Sequence, residues 1–172
     1  MPSLDEVLAA FPDKRFLIHI KSNDPAEGEK LVGRLAELPQ EHLSRLMVYG
    51  GNRPVEVVRD RLPQLLTMSG AGLKSCLTRY LALGWSGHVP AACRRSMLLV
   101  PVNVAPWLWG WPDRFLARME KAGAQMFVVG PWEGEDFSRG LDSAADFAKL
   151  PQHFTGGIWT NRIDRIAPLI ER

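Results

Sequence analysis

Phe16-Leu17-Ile18-His19-Ile20-Lys21 is the stretch that decides the fold. It is a short run rich in Ile, Leu and Phe, followed by the polar Ser22-Asn23-Asp24, the composition of a buried strand running out into a loop. Behind it, Ala26–Leu38 spaces Leu31, Leu35 and Leu38 three and four residues apart, which is one apolar face of a helix. A second apolar run, Leu46–Tyr49, comes next. Strand, helix and strand in about 30 residues make a βαβ unit.

The same pattern continues outward. Leu65–Met68, Met97–Val102, Met126–Val129 and Gly157–Thr160 read as further strands, each ending near Gly, Asn, Ser or Pro. Helical spacing recurs over Val55–Leu62, Leu73–Leu83, Arg114–Ala122, Ala144–Leu150 and Ile163–Ile170. Pro25, Pro54 and Pro112 fall at or near helix starts, where a missing N–H costs nothing. Strand starts near residues 16, 46, 65, 97, 126 and 156 predict a serial β–α array with a mostly parallel sheet. Residues 1–172 are read as one α/β domain, the default for this length. Six units suit an open parallel α/β sheet, because a closed barrel needs eight units and about 250 residues.

Composition narrows the functions. Lys plus Arg is 21 against 19 Asp plus Glu, and no basic run interleaves with aromatics, so no nucleic-acid partner is expected. No stretch of 18 apolar residues exists, so no membrane span is expected. Met1–Pro12 lacks a signal-peptide pattern, and the compartment stays open between cytoplasm and periplasm. Cys76 and Cys93 form no CxxC pair. They are read as free or half-buried thiols, with a disulfide as the alternative if the protein is exported.

Candidate chemistry gathers at strand exits. His19 and Lys21 share a side of the first strand. Lys21 is a candidate phosphate contact, with a salt bridge to a nearby carboxylate as the alternative. Asn103 and Asn161 end the fourth and sixth strands, as substrate contacts or as turn caps. Pro106-Trp107-Leu108-Trp109-Gly110-Trp111-Pro112 reads as an aromatic wall over a site, or as a loop packed on the core. Ser69-Gly70-Ala71-Gly72-Leu73-Lys74-Ser75 lacks the spacing of a nucleotide loop, and a helix start is expected there. No paired carboxylates, HExxH or GxSxG occur, and His42, His88 and His153 stand alone.

Three segments resemble the glycerophosphodiester phosphodiesterase family. Pro2-Ser3-Leu4-Asp5-Glu6-Val7-Leu8 resembles the family's P-T-L-E-E-V-L segment, and Phe16–Lys21 resembles the strand after it, which ends Glu-x-Lys. Gly156-Gly157-Ile158-Trp159-Thr160-Asn161-Arg162 resembles its last strand, D-G-I-x-T-D-x-P. The resemblance spans the chain and implies an incomplete TIM (β/α)8 barrel, with six strand–helix units in this chain and the barrel's first two units upstream of Met1. It implies hydrolysis of a glycerophosphodiester to an alcohol and glycerol 3-phosphate, in lipid and glycerol metabolism, with a divalent cation (Mg or Ca). The family's acid–base His pair belongs to the upstream units, so the chain alone is expected to be inactive. His19 stands where the family has a metal-binding Glu, and an imidazole suits Mg or Ca poorly. Lys21 matches the family's phosphate-neighbouring Lys, Asn161 replaces its Asp, and Trp109 and Trp159 join Asn103 as substrate contacts. A non-catalytic relative binding phosphate- or choline-type ligands is the alternative. A broken barrel would expose the edges of its first and sixth strands, and a homodimer through those edges is expected.

Overall fold

A computed structural model of the chain describes residues 2–134 and 139–170. The chain forms two compact units, residues 1–71 and 72–172, each with its own three-stranded parallel sheet.

The first unit runs α1 (Leu4–Ala10), β1 (Phe16–Ile20), α2 (Pro25–Leu35), α3 (Gln40–Leu43), β2 (Leu46–Gly50), α4 (Asn52–Arg61) and β3 (Leu66–Ser69). α1 begins in a capping box: the Ser3 hydroxyl accepts from the Glu6 N–H, and the Ser3 N–H donates to the Glu6 carboxylate. α2 starts on Asp24, whose carboxylate accepts from the Ala26 N–H, with Pro25 in the first turn.

The strands pair in the order β1-β2-β3. Phe16 faces Leu46, Ile18 faces Val48 and Ile20 faces Gly50. Because side chains alternate across a strand, these form one face, and they pack with Leu31, Val32 and Leu35 of α2 and Val58 of α4. Leu17, His19, Met47, Tyr49 and Met68 line the other face. α2 and α4 lie side by side. Gly28 permits this, since a Cβ there would stand 2.5 Å from the Pro54 carbonyl oxygen. Gly50 has φ +144° at the end of β2, where a side chain would collide with the Ile20 carbonyl.

The second unit contains α5 (Gly70–Leu83, entering from the first unit), β4 (Met97–Pro101), α6 (Asp113–Lys121), β5 (Gln125–Val129), α7 (Ala144–Phe147), β6 (Gly157–Ile158) and α8 (Ile163–Ile170). Short 3₁₀ turns lie at Gly84–Ser86, Ala91–Cys93 and Ala105–Trp107. Its strands pair β4-β5-β6, again all parallel. All five residues of β4 are buried, the pattern of a strand covered on both faces. Phe115, Met119, Leu141 and Ile166 complete this core.

All six expected strands are present within two residues of their expected bounds, and the pairings are parallel. The sheets form no closed barrel among the described residues, and β3 and β4 are edges as well as β1 and β6. The expectation of free thiols is corrected. Cys76 of α5 and Cys93 are joined in a disulfide, both buried. The chain reverses through Gly84–Ser86 and the left-handed Gly87 (φ +84°), which returns it to the flank of α5. No described helix is long and apolar enough to cross a membrane.

Candidate functional site

The exit of β1 opens into a groove of about 420 Å3 between the free edge of that strand and α2. Ile18, His19, Ile20, Lys21 and Ser22 line one side, and Glu27, Lys30, Leu31 and Arg34 the other. The α2 residues recur at intervals of three and four, which puts them on one helix face.

Charge in the groove is unevenly compensated. Lys30 pairs with Glu27 at 2.9 Å, and Arg34 pairs with Asp5 of α1. Lys21 is exposed, and no described carboxylate pairs with it. The salt-bridge alternative for Lys21 therefore has no partner among the described residues. A cation left open at a strand exit is available to an anion.

His19 lies on the face opposite α2 and α4, its ring stacked on Tyr49 with centroids 4.1 Å apart. A Mg or Ca ion requires several oxygen ligands. His19 offers one nitrogen, and no group of three His, Cys, Asp or Glu able to hold a metal occurs among the described residues. Among the described residues, His19 thus has no set of oxygen ligands beside it to hold such an ion.

The other expected contacts lie at strand exits of the second unit, mostly engaged with the protein. The Asn103 amide donates to the Trp132 carbonyl and accepts from the Trp132 N–H, both at 2.9 Å. Asn161 donates through its backbone (2.7 Å) and its side chain (3.1 Å) to Asp142. Trp159 sits just past β6, where its N–H donates to Val128 and its carbonyl accepts from Leu141. Trp109 donates its indole N–H to the Leu81 carbonyl and leaves about half its surface exposed. Trp107 is more open, at 76%.

Two groups of polar residues escaped sequence reading. Asp142 accepts from Thr160 and Asn161, and Arg162 is close enough to act on its charge. Burial raises its carboxyl, but those hydrogen bonds and the Arg162 charge outweigh it and hold the group below the usual carboxylate value. Arg118 donates to the Tyr80 hydroxyl and the Gly84 carbonyl, and Tyr80 donates to the Trp109 carbonyl. This fixes the Trp loop to α5. Neither group has a sequence signature, because Asp142 and Arg118 meet their partners only through tertiary structure. Asn52 accepts from the Ala71 N–H in the first turn of α5, so that amide is satisfied where a phosphate loop would need it open.

No family model, no curated protein and no solved structure matches the chain.

Proposed function

We propose that this chain is a phosphodiester-binding β–α array of the glycerophosphodiester phosphodiesterase type, holding the phosphate of a small phosphodiester at Lys21. The observation that carries this reading is Lys21, without a carboxylate partner among the described residues, in a groove whose other cations are compensated.

The winding of the sheets supports the resemblance. Sequential parallel order with α2 and α4 packed side by side is how barrel walls are wound. A doubly wound sheet reverses direction and places helices on both faces. In the family's reaction, water cleaves a P–O bond, giving an alcohol and glycerol 3-phosphate. Lys21 would stabilise charge on the phosphoryl oxygens. The acid–base His pair has no counterpart in this sequence, and a divalent ion would need oxygen ligands that the described residues do not supply. The chain by itself is thus expected to bind without turnover.

Titration with glycerol 3-phosphate or glycerophosphocholine, followed by the amide shifts of Lys21 and Ser22, tests this. Saturable shifts that Lys21→Ala abolishes are expected. Absence of any shift, or shifts unchanged in the variant, would remove the reading. Divalent-dependent hydrolysis by the purified chain would refute the binding-only part alone.

Half-exposed Trp109 and open Trp107 favour a second reading, a choline-type headgroup bound on an indole face. Quenching of Trp fluorescence by glycerophosphocholine, lost in Trp107→Ala and absent with glycerol 3-phosphate, is its signature. An unchanged signal in Trp107→Ala would sink it.

A further inference from the structure

Between Asp60 and Asp113 the sequence holds no Asp or Glu, although the chain carries 19 acids in 172 residues. Within the second unit that stretch keeps Lys74, Arg79, Arg94 and Arg95. All four are exposed and have no carboxylate partner among the described residues. The same stretch holds five of the nine large apolar side chains that stand exposed among the described residues: Leu81, Leu83, Trp85, Trp107 and Trp109. Single exposed apolar residues are ordinary, but a group of them marks a contact surface.

These five share one neighbourhood. The Trp109 indole N–H donates to the Leu81 carbonyl at 2.8 Å, and the Tyr80 hydroxyl donates to the Trp109 carbonyl at 2.9 Å. The Trp loop, with Trp107 two residues earlier, is thereby laid on the last turn of α5. Arg118 of α6 donates to the Tyr80 hydroxyl and to the carbonyl of Gly84, between Leu83 and Trp85. Tyr80 itself is fully buried, which anchors the loop to the core. Side chains presented on a fixed scaffold lose little further freedom on binding. Bases border the group. Arg79 precedes Leu83 by one helical turn and Lys74 precedes Leu81 by two, so each pair shares a side of α5. Arg114 flanks the Trp loop, since a Cβ on Gly110 would stand 2.7 Å from its Cβ.

We propose that this face binds the surface of an anionic lipid bilayer, with the tryptophans and leucines at the headgroup boundary and the bases on lipid phosphates. The proposal goes beyond both readings above and rests neither on Lys21 nor on choline recognition. Indole favours that boundary because it joins an apolar body to one N–H donor. The indole N–H groups of Trp85 and Trp107 have no partner among the described residues and are open to headgroup oxygens. Leu81 and Leu83 gain from acyl chains but gain nothing from a nucleobase, which stacks on rings. Surroundings free of acids complement anionic lipid, and that attraction adds to apolar burial. Lys and Arg stems can lie along the apolar surface while their heads reach the phosphates. Such adsorption needs no helix that crosses the bilayer.

Flotation of the full chain with lipid vesicles tests this. Vesicles of equal parts phosphatidylglycerol and phosphatidylcholine should carry it about tenfold better than phosphatidylcholine alone, and added salt should release it. Trp85→Ala with Trp107→Ala removes only exposed side chains. It should lower partitioning about tenfold with unchanged far-UV circular dichroism. Lys74→Glu with Arg79→Glu should do the same. Should either double variant unfold, the parent chain decides: phosphatidylglycerol brominated on its acyl chains should quench the tryptophan fluorescence. No flotation with anionic vesicles, or no quenching, would overturn the proposal. So would equal flotation with phosphatidylcholine alone, which would mark choline recognition instead, or flotation unchanged in a folded double variant. A single-stranded oligothymidylate that displaces the chain from vesicles would assign the face to nucleic acid and overturn it as well.

Discussion

The side-chain oxygen of Asn23 accepts a hydrogen bond of 3.1 Å from the backbone N–H of Arg53, thirty residues further on. Asn52 does the same for Ala71, nineteen residues on, and Asn103 clasps Trp132, twenty-nine residues on. These separations follow the spacing of the strands. Each Asn stands at a strand exit and serves the backbone of the following unit. For α4 and α5, that backbone is a first-turn N–H which the helix cannot satisfy itself.

Asn23→Ala should therefore destabilise without touching the apolar core. α4 has no side-chain cap of its own, since Gly51 occupies its N-cap. Loss of the Asn23 bond should cost about 1 kcal/mol, seen as a lower urea midpoint with unchanged slope. An unchanged midpoint would mean that water replaces the bond at no cost.

How far the sequence reveals this structure depends on the range of the interaction. The strands were legible because apolar runs declare burial locally. α1 was not, because none of its residues is buried, although Ser3-x-x-Glu6 was a readable cap signal. Polar residues at strand exits were legible as special but not in their role. Asn103 and Asn161 meet Trp132 and Asp142 only through the tertiary fold. Lys21 is legible at a strand exit by position alone, and among the described residues no carboxylate compensates it there.

The Cys76–Cys93 bridge ties α5 to the segment leading into β4. No thiol should react in the unfolded, unreduced chain, and both cysteines should react after reduction. Reduction, or Cys76→Ala with Cys93→Ala, should lower stability by about 2–4 kcal/mol. Two reactive thiols before reduction would contradict the bridge.

Asp142 should make the second unit sensitive to acid. Its folded-state carboxyl lies below the ordinary value, so its contribution is full above the unfolded carboxylate value of about 4 and is lost as pH falls through the folded one. Asp142→Ala strands the donors on Thr160 and Asn161 and should cost roughly 1–3 kcal/mol at neutral pH. The variant should also lose stability less steeply in acid than the parent. Parallel stability–pH curves for the two proteins would exclude this role.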